Sequence, residues 1–353
     1  MSCLGTRQHI LHSATDCKAV FIEEAFVAEH VLCVEQVARY NASIIENVAR
    51  GPGGAIFASD GSTIEFVSGS IEVLDNDGWE GAGIHLDSSH LYIGATIVLS
   101  GNKALTTGGG VLGQFGSSFT IANNGSCNII ENHASSWGGG VHLQINSVLR
   151  ADGHLNVSRN LASFGGGISL SQSVMQLHED TEISSNTARE FGGGAHLSNR
   201  AKLTSSGSRF YGNRAVNGGG LHAVESSEVT IELTQFRGNV ARRSGGGLSF
   251  ENSALVLTNG CILAHNVATE SAGAVYLDDS TFECSSGQII DNFASIGAGL
   301  LLLKSSSRFQ NCSLSRNVAT TKHCDMGASL CGGGGLLASS SSILLHNSSL
   351  RNN

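Results

Sequence analysis

The sequence predicts an all-β protein, a right-handed parallel β-helix of about eleven coils with three short strands per coil. Three observations lead to this prediction: a repeat with spacings of 25 to 30 residues, alternating apolar and polar residues within each repeat, and no helical pattern between the repeats. A fixed period of this size is typical of solenoids, in which each repeat forms one coil. The right hand is the usual hand of connections between parallel strands.

The repeat is clearest in residues 210–223 and 236–250, which read FYGNRAVNGGGLHA and FRGNVARRSGGGLSF. Each copy has an Asn, an Ala two residues later and a run of Gly. The Ala is present in ten of the eleven copies, and Gly78 replaces it after Asn76. We expect the Asn amides to form a structural ladder from coil to coil, with the Asn backbone in the left-handed region. The ladder positions are Asn47, Asn76, Asn102, Asn132, Asn160, Asn186, Asn213, Asn239, Asn266, Asn292 and Asn317.

Three alternating runs in each period predict the three strands. The first follows the Gly run, as in residues 84–86, and a polar corner separates it from the second, as in residues 254–257. The third leads into the Asn. Alternation with a period of two indicates half-buried strands. The Gly run permits positive φ and close backbone approach at a tight corner.

The regular repeat predicts one elongated β-helix domain over residues 41–353, with an insertion at residues 318–331. Residues 1–40 carry no motif and predict an N-terminal cap or a degenerate coil. Helical spacing of Ile22 and Phe26 favours a capping helix, and Val31 to Glu35 fits a strand equally well. Either would cover the open end of the stack.

The last residues, LRNN, match FRGN at residues 236–239, so Asn353 takes the place of a twelfth motif Asn. An uncovered coil exposes a row of unpaired backbone groups. Residues 336–353 contain neither Pro nor a capping helix, and Arg351 is their one formal charge. We therefore expect end-to-end contact through this C-terminal coil, with more chain or another subunit.

The composition excludes several classes of function. The net charge of −9 argues against a nucleic-acid partner. No apolar run approaches the length of a transmembrane helix. The N-terminal sequence MSCLGTRQHILHSATDC lacks the basic and apolar regions of a signal peptide. There is no phosphate-binding loop, dinucleotide fingerprint or zinc spacing, so we expect no cofactor, no metal and no catalytic residue.

The nine cysteines cannot all pair with one another. Cys127, Cys261 and Cys312 each lie five residues before a motif Asn, at an inward position, and they belong to coils that are not neighbours. We expect them to be buried free thiols. Cys324 and Cys331 share the insertion and could close a small loop.

The middle residue of the first strand in each coil is expected to point outward. Several coils place an imidazole or a phenol there, which makes an outward column a candidate binding surface. The simpler interpretation is a mixed, solvated strand face. Only His196 and His222 are on adjacent coils, and two imidazoles alone make a weak ligand site. The candidate binding residues are His85, His142, His196, His222 and Tyr276.

Acid pairs such as Glu179-Asp180 and Asp278-Asp279 suggest a glycosidase or a lyase. Asp279 occupies the ordinary polar corner of the repeat, however, and nearly all corners are short. The sequence therefore favours a non-catalytic protein. The alternative is a polysaccharide-acting enzyme, a lyase, hydrolase or epimerase, built on the β-helix.

The repeat resembles that of the chlamydial polymorphic outer-membrane proteins, which carry repeated Phe-x-x-Asn and Gly-Gly-Ala-[Ile/Leu/Val] motifs. Phe210–Asn213 and Phe236–Asn239 match the first motif, and Gly53–Ile56 matches the second. The resemblance covers about residues 44–353, although most copies here read Gly-Gly-Gly. It implies a parallel β-helix, similar to an autotransporter passenger, at the cell surface or outside the cell. It also implies an adhesive or structural role, with a cell-surface protein or glycan as partner.

Overall fold

The structure, a computed structural model, describes residues 36–38, 41–320 and 332–353. These residues form a right-handed parallel β-helix with no helical segment. Four sheets run along the solenoid and contain 11, 12, 12 and 10 strands in the order in which a coil visits them. The predicted fold class is confirmed, and the described chain makes ten to twelve turns.

Sheet 1 follows the glycines and contains the column of predicted binding residues. All of its strand pairs are parallel, and each strand pairs with its counterparts in the neighbouring coils. Its strands are Ile56–Ala58, Ile84–Asp87, Val111–Gln114, Val141–Gln144, Ile168–Ser171, Ala195–Ser198, Leu221–Ala223, Leu248–Glu251, Val275–Asp278, Leu300–Leu303 and Leu336–Ser339.

Sheet 2 follows the polar corner. Its strands are Gln36–Ala38, Thr63–Phe66, His90–Ile93, Ser118–Ile121, Val148–Ala151, Val174–Leu177, Lys202–Ser206, Glu228–Glu232, Ala254–Thr258, Thr281–Ser285, Ser306–Gln310 and Ser342–His346. Sheet 3 leads into the motif Asn. Its strands are Ala42–Ile45, Ser70–Leu74, Thr96–Ser100, Ser126–Ile130, His154–Ser158, Thr181–Ser184, Arg209–Tyr211, Gln235–Arg237, Ile262–Ala264, Gln288–Ile290, Ser313–Ser315 and Ser349–Arg351.

Sheet 4 follows the Asn and corrects the prediction of three strands per coil, because it adds a fourth. Most of its strands are only two residues long, too short to produce an alternation that the sequence could reveal. They are Asp77–Gly78, Lys103–Ala104, His133–Ala134, Leu161–Phe164, Thr187–Phe191, Arg214–Asn217, Val240–Ser244, Val267–Ala268, Phe293–Ala294 and Val318–Ala319.

The main core fills the space enclosed by sheets 1, 2 and 3. Alternate residues of each strand point into it, such as Leu255 and Leu257, which are about 1% and 0% exposed. The rings of Phe210 and Phe236 stack across adjacent coils with centroids 4.5 Å apart. Complete burial of such a side chain contributes about 1.5–3 kcal/mol. The stack of coils therefore supplies a continuous apolar core that no single repeat could form alone.

The Asn ladder is present and longer than expected. Asn102 donates from Nδ2 to Oδ1 of Asn132 at 2.9 Å and to the carbonyl of Val73 at 2.9 Å. The same bonding between coils continues to Asn353, which accepts from Nδ2 of Asn317 at 2.9 Å. The expectation of left-handed backbone at the Asn is wrong, because the residue before it has positive φ instead, as at Arg159. The Asn is thus selected for its amide.

Small residues complete the corner after the Asn. Ala134 and Ala162 are fully buried and pack in a satellite cluster beside the ladder. At Gly219 an added Cβ would lie 2.5 Å from the carbonyl oxygen of Gly246. A side chain at that position would push adjacent coils apart. The short distance between adjacent coils therefore requires small residues, Ala and Gly, at these positions of the repeat.

The prediction for Cys312 is wrong, because this residue forms a disulfide with Cys284, with a Cα–Cα distance of 6.6 Å. Cys127 and Cys261 are buried free thiols, as predicted. The bond joins the sheet 2 strand Thr281–Ser285 to the residue just before Ser313–Ser315, the sheet 3 strand of the following coil. Comparison of residues at equivalent repeat positions could not reveal it. Gly287 lies between them, and an added Cβ there would be 2.8 Å from Sγ of Cys284.

The two ends of the described chain differ. Gln36–Ala38 pairs in parallel with Ile64–Phe66, but the rest of residues 1–40 lies outside the described residues. The same holds for residues 321–331, which include Cys324 and Cys331. In the last coil, Leu345 and Leu350 occupy core-facing register positions and are 45% and 43% exposed.

Candidate functional site

The predicted binding column is aligned as expected but is not on the surface. His196 pairs with His222 in the register of sheet 1, and Ser249 and Tyr276 continue the same column. The four histidines are only 1–3% exposed, and Tyr276 is half-buried. The side chains of His85, His142, His196 and His222 lie outside the main core, but the expectation that they are solvated is wrong.

The cover over this column comes from the residues that precede the glycines. Trp137 and Phe164 stack with centroids 4.2 Å apart, and Phe191 stacks on His222 at 4.7 Å. The first Gly of the run also lies against the column, because an added Cβ on Gly138 would be 2.8 Å from Cβ of His142. The end of sheet 4 and the glycine corner that follows it thus enclose a second, smaller layer of side chains outside the main core.

Two of the buried imidazoles form a direct pair. His196 and His222 stack with centroids 5.3 Å apart, and their Nδ1 atoms are 3.2 Å apart. One Nδ1 must carry a proton and the other must accept it. Nε2 of His222 lies 3.6 Å from Oε1 of Glu251, so the histidine pair also faces a carboxylate.

Burial keeps the imidazoles of His85, His142 and His196 neutral near pH 7. It lowers the pKa of His85 and of His142 to about 4 in each case. It also lowers the pKa of His196 well below its usual value, and the nearby His222 adds to this effect. Proton transfer near neutral pH requires a pKa close to 7 and access to the reacting group. His85, His142 and His196 have neither property and therefore form a structural layer.

The column also holds polar atoms that have no hydrogen-bond partner among the described residues. They include Nδ1 of His142 and the hydroxyls of Ser169 and Ser249, and both serines are completely buried. The part of the chain that the structure describes contains no group of three or more His, Cys, Asp or Glu side chains that could hold a metal.

The acid pairs of the sequence lie on exposed corners. Oδ2 of Asp180 is 3.2 Å from Nδ1 of His154, and the two side chains are 66% and 38% exposed. Oδ1 of Asp152 is 3.2 Å from Nε2 of His178 in the same region. Asp279 has a φ of 46° at its corner, as its repeat position suggests. The acids of this region pair with histidines on an open surface.

An exposed site that the sequence analysis missed lies on the outer face of sheet 3. The residue before the motif Asn normally carries a side chain, such as Ser185 or His265, but two neighbouring coils have Gly212 and Gly238 there. An added Cβ on Gly238 would find no heavy atom within 4 Å. This notch is a depression of about 440 Å³ lined by Arg209, Phe210, Tyr211, Gly212, Gln235, Arg237, Gly238 and His265.

The polar groups of the notch are preorganised by the strands. The hydroxyl of Tyr211 donates to Oε1 of Glu182 at 2.6 Å, and Oε2 of the same carboxylate is 3.9 Å from Nε of Arg209. Nε of Arg237 donates to Oε1 of Gln235 at 2.9 Å. The Tyr211 ring is 41% exposed. The notch therefore offers an aromatic edge and two guanidinium groups to a ligand.

Residues 117–288 match the family model described as a right handed beta helix region. The matched coils of the β-helix include the covered histidine pair and the notch. No curated protein and no solved structure matches the chain. Over the described residues, no helix has the length and apolar character needed to cross a membrane.

Proposed function

We propose that the chain is a non-catalytic repeat protein at the cell surface or outside the cell, with an adhesin-like or structural scaffold role. The uninterrupted stack of coils carries this proposal. Over residues 41–320 the longest segment between consecutive strands is residues 46–55. Long loops that could wall a deep substrate groove are therefore missing from that range. A rigid rod with short corners suits the display of an extended binding face.

The placement of the titratable groups is the second support. The buried imidazoles of His85, His142 and His196 are neutral at physiological pH, because burial lowers their pKa. The exposed carboxylates of Asp152 and Asp180 lie beside histidines on a corner. Neither arrangement gives an acid and a base facing each other across a cleft, which hydrolysis of a glycosidic bond requires.

Surface labelling tests this proposal. Intact cells that carry the whole gene should be labelled by an antibody against the β-helix, and soluble glycan or protein partners should compete with their attachment to host or neighbouring cells. Labelling only after permeabilisation would contradict the surface location. Unchanged attachment after deletion of residues 41–353 would contradict the adhesive role and leave the structural one.

The competing proposal is a polysaccharide-acting enzyme. One observation in the notch supports it: the carboxylate of Glu182 lies beside Tyr211 and Arg209. Incubation with acidic and neutral polysaccharides distinguishes the two. A hydrolase would generate new reducing ends, a lyase would generate unsaturated products, and an epimerase would change the sugar composition with time. The scaffold would leave the chain length of every polysaccharide unchanged at all protein concentrations.

A further inference from the structure

We propose that the notch and the arginines around it bind an acidic polysaccharide, one that carries carboxylate or sulfate groups. This inference rests on the proposed surface role and names the class of partner. It begins from the missing side chains of Gly212 and Gly238, which open the corner between sheets 3 and 4. The exposed guanidinium groups of Arg209 and Arg237 flank this opening.

Charge is the first argument. The chain has a net charge of −9, yet five arginines lie on sheets 3 and 4 within residues 209–243. They are Arg209, Arg214, Arg237, Arg242 and Arg243.

Ion pairs with carboxylates neutralise only part of this positive charge. Arg243 has Glu270 at 3.5 Å, and Arg209 has Glu182 at 3.9 Å. Arg214, Arg237 and Arg242 have no carboxylate within 4.0 Å in the described ranges. The basic residue of sheet 2 in the same coils is neutralised, because Lys202 pairs with Glu228 at 2.8 Å. In these coils, three arginines of sheets 3 and 4 therefore remain without a carboxylate partner, whereas the lysine of sheet 2 has one.

The chemistry of the side chains is the second argument. A guanidinium group binds carboxylate or sulfate oxygens with two parallel N–H donors and is more weakly hydrated than a lysine ammonium. The half-exposed ring of Tyr211 and the amide of Gln235 lie beside these donors. An apolar ring face beside polar donors suits a sugar ring, which has one apolar face and a rim of hydroxyls.

The pairing of the strands at the notch argues against a peptide as the ligand. An extended peptide binds a β-sheet by pairing with a free edge. Arg209–Tyr211 is already paired on both sides, with Glu182–Ser184 and with Gln235–Arg237. A linear polysaccharide needs no edge and can lie across the side chains of successive coils, which repeat about every 4.8 Å. A nucleic acid is disfavoured by the charge of the whole chain and because Tyr211 is the one exposed Phe, Tyr or Trp ring that lines the notch.

Calorimetric titration of the purified 353-residue chain tests the inference. The probes are polygalacturonate oligomers for carboxylate, dextran sulfate for sulfate, unmodified dextran as the neutral polymer and a single-stranded DNA oligonucleotide. We expect binding of at least one acidic glycan, weakened by salt, and none of neutral dextran. Preference between the two acidic probes identifies the anionic group. Equal binding of neutral dextran, tighter binding of DNA, or no binding of either acidic probe would overturn the inference.

Variants locate the site. The double variant Arg209→Gln and Arg237→Gln should weaken binding of the acidic glycan by at least about tenfold, because charge-assisted hydrogen bonds are lost. Gly238→Asn retains every charge and fills the notch, and Asn tolerates the positive φ of this position. It should also weaken binding several-fold. Circular dichroism and thermal melts establish that each variant is folded.

Arg308→Gln is the matched control, because it removes an exposed arginine from the outer face of sheet 2. It should leave affinity within about twofold, since surface charges separated by more than a Debye length are screened. Equal losses in Arg308→Gln and in the double variant would show unspecific attraction and overturn the site. Cleavage of the bound glycan would instead overturn the non-catalytic function, while the same pattern of variants would still support the site.

Discussion

The side chain of Asn239 donates from Nδ2 to Oδ1 of Asn266 at 3.0 Å, and the backbone N–H of Asn239 donates to the same oxygen at 3.1 Å. Oδ1 of Asn239 accepts two equivalent bonds from Asn213. Each ladder oxygen thus accepts hydrogen bonds from both the backbone N–H and the side-chain amide of the Asn in the preceding coil. Nδ2 of Asn239 also donates to the carbonyl of Phe210 at 3.0 Å, and a Ser or an Ala could not make these four side-chain contacts, which explains why the corner requires Asn.

Asn239→Ala should lower the free energy of unfolding by about 1–3 kcal/mol, because buried donors of Asn213 lose their acceptor. Urea unfolding followed by circular dichroism measures the change. Asn124→Ala is the control, since its exposed amide donates to the carbonyl of Gly94, its φ is not positive, and its loss should cost less than about 1 kcal/mol. Equal effects of the two substitutions would mean that the ladder adds no stability beyond that of a surface amide.

The sequence could predict the features that recur at one position of the repeat. The Asn, Ala and Gly positions recur with nearly constant spacing, so the solenoid, the parallel pairing and the ladder followed from them. The burial of one side chain by residues at other positions of the repeat could not be predicted in this way. His196 lies beneath Trp137 and Phe164, which belong to other coils and to a segment that the sequence suggests is a plain corner.

The notch also shows that features formed by several coils together are harder to predict than features that recur at one repeat position. Gly212 and Gly238 stand one residue before a motif Asn, and aligned coils would have revealed two adjacent missing side chains. Its arginines became a cluster only when the strands were placed side by side. Cys284 and Cys312 also occupy different repeat positions, so only three-dimensional geometry brings them together.

Ser249→Ala should leave stability unchanged or raise the free energy of unfolding by up to about 1 kcal/mol. Its buried hydroxyl has no partner among the described residues, so the substitution removes a polar group that costs energy to bury. Ser227→Ala is the matched variant, because this equally buried hydroxyl donates to the carbonyl of Val224 at 2.6 Å. It should destabilise the protein by about 0.5–1.5 kcal/mol. A loss above 1 kcal/mol for Ser249→Ala would mean that the hydroxyl is bonded.

Peptide mapping without reduction should recover Cys284 linked to Cys312 and leave Cys127 and Cys261 as thiols that react only after unfolding. The bond closes a sequence separation of 28 residues, for which the loss of unfolded-state entropy is worth about 2–4 kcal/mol. Cys312→Ala should therefore lower the midpoint of urea unfolding. Cys127→Ala should leave the crosslink in place. A crosslink that contains Cys261 would contradict this pairing.

The buried histidines predict an acid-sensitive fold. In an unfolded chain a histidine has a pKa near 6.5, whereas burial lowers the pKa of His142 to about 4. As the pH falls below 6.5, the unfolded state therefore takes up protons before the folded state does. The stabilisation is complete above this value, is lost progressively towards pH 4 and changes no further below it. For His142 alone the loss amounts to about 3 kcal/mol.

His142→Leu isolates this contribution, because Leu112 already occupies the equivalent position one coil earlier and is fully buried. The free energy of unfolding of this variant should fall less steeply between pH 6.5 and 4 than that of the parent, by about 3 kcal/mol over the range. His90→Gln, which removes an exposed imidazole from sheet 2, controls for charge. Its pH profile should follow that of the parent. Parallel profiles for the parent and for His142→Leu would mean that the imidazole takes up its proton equally in both states, which its place beneath Trp137 and the glycine corner argues against.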